Sequence, residues 1–315
     1  MFPSVHAGIR DRDYRMRESR FRVPAGIMDR SGSGREVPVV RTSPTFRRRR
    51  LARRIRQLRE EAGMTQEKAA AGLDMSTSAL SRKETGEVAT SVHEARSMMD
   101  LYDRYDPDLL DLARAARERG WWRAYGVEDR GYVDLETEAC AVRELSLVYI
   151  PGLLQTEDYM RAIFTADRVR RTKKEFENQI SVRLIRQQRL RDCEQPLRLL
   201  AVLDEVALGR TIGGPDVMRE QLKYVLHSAE NDHVELSVIG REVGSHPGMN
   251  GAFAILSFPQ PEDQDVLYIE YPTGSIHIEK EAEVQEARLV FEHLRQVALS
   301  REKSMERIEQ VARTL

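Results

Sequence analysis

Residues 65–86 read TQEKAAAGLDMSTSALSRKETG. Thr65 is placed to cap a helix, because a threonine hydroxyl accepts a hydrogen bond from a backbone N–H that a first helical turn leaves unpaired. Glu67 and Lys68 open that helix, which is short, rich in alanine and runs to about Gly72. Leu73-Asp74-Met75 forms a tight turn, and Asp74 is tolerated there because aspartate adopts the left-handed conformation better than most residues. Ser76 is the next capping residue, and a third helix of about two turns carries Thr77 to Glu84 before Gly86 stops it.

Upstream, Leu51, Ile55 and Leu58 recur at i, i+4 and i+7, which predicts one apolar stripe on a helix whose other faces are arginine. Gly63 ends this first helix. Downstream, Thr90 is expected to cap a fourth helix with Val92, Ala95, Met98, Met99 and Tyr102 inward. Asp106-Pro107 then gives a capping residue followed by proline in the first helical position, and Leu109, Leu112, Ala113 and Ala116 form the buried stripe of a fifth helix. Two short helices joined by a tight turn and set behind a basic helix make a helix-turn-helix.

Charge divides the chain. Residues 1–95 hold 20 Lys+Arg against 12 Asp+Glu, and the remainder holds 30 against 39, although the formal net charge is only −1. From Arg41 to Arg59 there are nine arginines and no acid, including the run Arg47, Arg48, Arg49, Arg50. Such a stretch suits a polyanion, and it would repel itself if nothing neutralised it. Residues 1–45 combine Pro3, Pro24, the Ser31–Gly34 alternation, Pro38 and Pro44 with no apolar period, and are expected to be a disordered basic arm.

After Gly120 the character changes. Trp121-Trp122 reads as a packed hinge between domains. A helix through Leu135 and Ala139 leads to an apolar run, Leu145 to Ile150, expected as a strand. Thr156 caps another helix, and a charged helix spans about Lys173 to Cys193. Leu197 to Leu203 reads as a buried strand, and Pro215 opens a helix to about Ala229. Short strands follow at Val234–Ile239, Ala252–Phe258, Val266–Tyr271 and Ser275–Ile278, the last two joined by a hairpin at Pro272-Thr273-Gly274. A long amphipathic helix from about Glu281, broken near Ser300, closes the chain. The expected architecture is an all-α, five-helix domain over residues 46–118. An α+β domain with a largely antiparallel sheet follows over residues 119–315.

The segment 65–86 resembles the lambda-repressor-like, xenobiotic-response-element family of helix-turn-helix domains. It departs from that family at Ala69, where a larger apolar residue is usual, and at Lys83, where Ile or Val is usual; the missing volume predicts a less stable module. The resemblance implies a transcription regulator that binds double-stranded operator DNA. One short recognition helix reads too few bases for useful specificity, so a homodimer on two half-sites is expected. The second helix of the motif would enter the major groove, and Thr77, Ser78, Ser81 and Arg82 share the face expected to contact bases. Arg82 alone of these can grip a guanine bidentately. The resemblance places Gln66 against a phosphate, and pairs Glu84 with Arg59 as a structural contact. Arg47 to Arg50 are expected along the phosphate backbone or in a minor groove.

SLVYIPGLLQTEDYMRAIF (146–164), preceded by Trp121-Trp122, is similar to a C-terminal domain of many actinomycete regulators. Arg189 within RQQRL, Asp204-Glu205, Gly213-Gly214, HPGMNGAFAILSFP and DVLYIEYPTG carry the same likeness. It implies a domain that receives a protein or small-molecule signal. The alternative it implies is an antitoxin or anti-regulator that binds a small protein encoded by a neighbouring gene and autoregulates its operon. No enzyme is expected. Asp204 and Glu205 are adjacent and so point apart, His246 has no serine or cysteine in a nucleophile context, and no phosphate-binding loop follows a strand. No cofactor or metal is expected. Two cysteines without CxxC spacing, no apolar leader and no apolar run near 18 residues point to a cytoplasmic protein without a membrane segment.

Overall fold

The computed structural model describes residues 46–127, 131–167 and 169–315. The arm expected over residues 1–45 lies outside them. The described residues form one compact unit.

Five helices come first: α1 (Phe46–Glu61), α2 (Gln66–Gly72), α3 (Thr77–Glu84), α4 (Val92–Tyr102) and α5 (Pro107–Ala115). Leu51, Ile55 and Leu58 of α1 pack with Ala69, Ala70, Leu80, Ala95, Met98, Tyr102, Leu109 and Ala113 in one apolar core. The helix starts follow capping chemistry. Thr65 and Ser76 accept from the N–H groups of Lys68 and Ala79. The fourth helix is capped by Ser91 and not by Thr90, because Glu94 stands three residues beyond Ser91 and closes a capping box with it.

The remainder is a sheet with helices on both faces. In chain order it contains α6 (Tyr132–Glu138), β1 (Ala141–Ser146), α7 (Glu157–Ala166), α8 (Lys173–Gln188), β2 (Arg198–Asp204), α9 (Val206–Gly209) and α10 (Pro215–Ser228). Then come β3 (Val234–Ile239), β4 (Phe253–Ser257), β5 (Val266–Tyr271), β6 (Gly274–Ile278), α11 (Glu281–Val297) and α12 (Arg301–Thr314). The strand order is β3-β2-β1-β4-β5-β6.

This sheet is mixed, which corrects the largely antiparallel expectation. β1, β2 and β3 are parallel neighbours, whereas β4, β5 and β6 continue the sheet antiparallel from β1. The reason lies in the connections. Parallel neighbours need long crossovers, and α7–α8 and α9–α10 supply them. β2 shows the matching sequence signature, an unbroken apolar run buried on both faces. Leu199, Ala201 and Leu203 join the core under α7, α10 and α12, while Leu200 and Val202 join the core under α11.

The first strand also differs from its expected place. It covers Ala141–Ser146, and Leu147 to Ile150 leave the sheet. The break between α11 and α12 serves the sheet edge: Leu299 N–H donates to the Val238 carbonyl at 2.9 Å, and Ser304 Oγ accepts from Val238 N–H at 3.0 Å. A sheet edge left bare invites pairing with other chains, and here both outer backbone groups of Val238 on β3 are paired.

Candidate nucleic-acid interface

The turn between α2 and α3 is set by Asp74, whose φ of 52° is left-handed. Leu80 is fully buried beneath α3, so the opposite side of that short helix faces outward. Ser78 and Arg82 are exposed there, with Thr77 and Ser81 half-buried beside them. Arg82 lies back along the helix, its Nε donating to the Ser78 carbonyl at 3.3 Å. All four residues expected to contact bases therefore sit on one helix, with Arg82 the longest donor among them.

Behind this face is a buried polar knot. Arg59 donates Nε and Nη2 to the two carboxylate oxygens of Glu84, at 2.7 and 3.0 Å, and its Nη1 to the Met64 carbonyl at 2.7 Å. The bonds from Glu84, more than offsetting the cost of burial, raise the guanidinium pKa above its ordinary value. Gln66 Nε2 donates to Glu84 at 2.8 Å. Gln66, the residue expected at a phosphate, is thus engaged with Glu84. One knot fixes the end of α1, the start of α2 and the end of α3 together.

Lys83 explains how a charge replaces a usual apolar residue. It is buried, and its Nζ donates to the Ala89 carbonyl at 3.0 Å and meets Glu94 at 2.8 Å. A buried cation is tolerated when paired and hydrogen-bonded. Glu94 loses hydration there, yet Lys83 and Ser91 bring its carboxyl below the ordinary range.

The arginine run meets acids of its own chain. Arg47 pairs with Glu118 at 2.6 Å and Glu138 at 2.7 Å, Arg49 with Glu279 at 2.9 Å, and Arg50 with Asp263 at 3.0 Å. Arg48 meets no acid among the described residues. Three of the four arginines expected on DNA phosphates are therefore neutralised by acids of their own chain. An acid-free run this dense needs counter-charges, and residues more than 70 positions away supply them.

Beyond the helices, the segment from Pro151 to Thr156 is built into the fold. Leu153 and Leu154 are buried, and Gln155 bonds to the Ile150 carbonyl and accepts from Arg183, both at 2.6 Å. Gln221 bonds Thr156 and the Leu154 carbonyl. Trp122 packs with Val127, Val133 and Val182, and Trp121 donates to Thr137. Arg189 donates to the carbonyls of Glu136 and Ala139.

A charged cluster brings together residues of α6, α8 and β1, and no spacing in the sequence signals it. Arg186 holds Glu136 bidentately at 2.6 and 2.7 Å. Among the described residues, Glu144 on β1 receives a hydrogen bond only from the Ser146 hydroxyl, at 3.1 Å. Burial pushes its carboxyl up to about 7. Burial also lowers Arg183 to about 10, and its guanidinium lies over the Phe164 ring at 4.4 Å.

Of the three residues weighed for catalysis, Asp204 and His246 meet at 3.2 Å, with His246 buried and its Nδ1 without a hydrogen-bond partner among the described residues. Glu205 turns away to Arg307 and the Arg241 backbone.

Comparison with known families fits this division. A helix-turn-helix domain model matches residues 50–113, and a model described as a domain of unknown function, DUF5753, matches residues 129–310. The second match spans more than half of the chain. The chain belongs to the DUF5753 family. Nothing among curated proteins or solved structures matches it. The DUF5753 region is the mixed sheet with its helices, and the helix-turn-helix in front of it suggests a DNA-binding regulator. No described helix is long and apolar enough to cross a membrane.

Proposed function

We propose that this chain is a sequence-specific transcriptional regulator of the xenobiotic-response-element type, reading its operator as a homodimer. The observation that carries the reading is the α3 surface. Exposed Ser78 and Arg82 stand on a helix whose inner side is held by Leu80 and whose end is tied to α1 by the buried Arg59–Glu84 pair. A groove reader needs that combination of short polar groups, one long donor fork and a rigid base. One such helix spans few bases, so specificity calls for two copies on half-sites about 10 bp apart.

The DUF5753 region is the receiver of a signal, protein or small molecule, and not a catalyst. Asp204 and His246 meet, but among the described residues no serine, threonine or cysteine is hydrogen-bonded to that pair.

The test is selection of bound duplexes from sheared genomic DNA by the full chain, followed by footprinting. Enrichment of a sequence with two related half-sites supports the reading. No enrichment, or a single unrepeated half-site bound one to one, overturns it.

A further inference from the structure

Three guanidinium groups on one face of α1 are held by two carboxylates from late in the chain. Arg50 meets Asp263 at 3.0 Å. Arg53 forks, reaching Asp263 at 3.1 Å and Glu279 at 2.9 Å, and Arg49 reaches Glu279 at 2.9 Å. Asp263 lies between β4 and β5, and Glu279 lies between β6 and α11. By helical spacing Phe46, Arg49, Arg50 and Arg53 share one side of α1, opposite the Leu51, Ile55 and Leu58 stripe. One side of α1 faces the DUF5753 region and the other faces the helix-turn-helix core.

As a fastening the Glu279 pairs add little: Arg49, Arg53 and Glu279 are 16–31% exposed, and partly exposed ion pairs are weak. Asp263 is buried, but both arginines that it holds stay partly exposed. Phe46, stacked on Phe258 and bonded through its N–H to Asp134, already secures the helix. As competitors they matter more. A guanidinium engaged with a carboxylate is withdrawn from phosphate oxygens, which it recognises by the same fork geometry.

We propose that Asp263 and Glu279 form a latch that competes with the phosphate backbone of DNA for Arg49, Arg50 and Arg53. The DUF5753 region thereby lowers the chain's affinity for any duplex while the latch is closed. Latch closure and DNA binding oppose each other to the same extent in both directions. A signal that draws the acids away raises DNA affinity. This inference rests on the DNA-binding reading above.

The test uses the full chain and a random-sequence duplex, with binding followed by fluorescence anisotropy across a salt series. Asp263→Asn/Glu279→Gln should bind on the order of tenfold more tightly near physiological salt. Its log–log salt slope should steepen by about 2–3, at about 0.9 for each arginine released to a phosphate. Neutralising two exposed acids elsewhere, Asp216→Asn/Glu230→Gln, should leave the slope nearly unchanged, which separates the latch from net charge. Adding Arg49→Gln, Arg50→Gln and Arg53→Gln to the first variant should cancel its gain. Should the double variant fail to fold, Glu279→Gln alone, at a more exposed site, should steepen the slope by about 1. Unchanged or weaker binding by a latch variant that melts like the wild type overturns the latch and leaves the pairs as a brace. Equal slopes for both proteins sink the latch alone, whereas no duplex binding by either at low salt sinks the DNA-binding reading and the latch with it.

Discussion

The ring of Phe46 lies almost flat on that of Phe258, with 4.0 Å between centroids and 16° between planes. Phe46 is the first residue of α1, and Phe258 follows the last residue of β4. The contact takes one residue of the helix-turn-helix's leading helix into the core of the sheet region, while Leu51, Ile55 and Leu58 of that helix stay with the helical core. One helix thus belongs to both cores, and the direction in which α3 points is tied to the sheet through it.

Phe46→Ala should therefore lower global stability by about 3–5 kcal/mol, as removal of a buried aromatic ring does. Chemical denaturation of wild type and variant measures this. Phe46→Leu should recover most of the loss. A change below about 1 kcal/mol for the alanine variant would show that the stack is dispensable.

Glu84 sits at the centre of the knot behind α3. Replacing it with Gln leaves Arg59 charged, buried and without its carboxylate, which should cost about 3–5 kcal/mol. The paired replacement Arg59→Met/Glu84→Leu removes both charges and should be closer to wild type than the single change. Urea unfolding of the two variants decides it: a single variant as stable as the double would show that the pair carries no such burden.

Glu144 makes stability depend on pH. Its folded pKa, about 7, stands above the ordinary glutamate value because burial disfavours the charge, with Glu136 adding to the rise while Ser146, Arg186 and Arg183 oppose it. The folded state therefore holds this proton more tightly than the unfolded chain does. The contribution is fully present below the ordinary glutamate range and is lost as pH rises through about 7. Glu144→Gln should be more stable than wild type at pH 8, with the advantage shrinking towards pH 5. Thermal melts of both proteins across that range test this, and parallel curves would contradict it.

Much of the helical front was legible because its signals are local. Thr65 and Ser76 cap helices, Asp74 turns left-handed, and the Leu51–Leu58 stripe repeats within one helix. Thr90 misled because two hydroxyl residues are adjacent, and the choice of Ser91 depends on Glu94. β1 was misplaced because its strand carries Glu144 and Ser146 on a covered face, breaking the apolar alternation that marks a strand. The sheet's mixed character follows from the two-sided burial of β2 and the helical crossovers, whereas the hairpin at the far edge signals only the antiparallel half. Phe46, Asp263 and Glu279 had no legible role, because partners more than 200 residues apart share no spacing. The acids that meet Arg47, Arg49 and Arg50 are likewise distant in the chain, so no spacing within the run reveals them.

The reading of α3 as a groove reader meets its most direct test at Arg82. Binding of the wild type, Arg82→Ala and Arg82→Lys would be measured on the selected operator, on its single-base variants and on random duplex, at one fixed salt. Arg82→Ala should lose about 1–3 kcal/mol on the operator, concentrated at one base pair per half-site, and much less on random DNA. Arg82→Lys should recover only part of this, since an ammonium lacks the planar fork. An equal loss on every duplex would make Arg82 a phosphate contact and contradict the assignment of α3 as the helix that reads sequence.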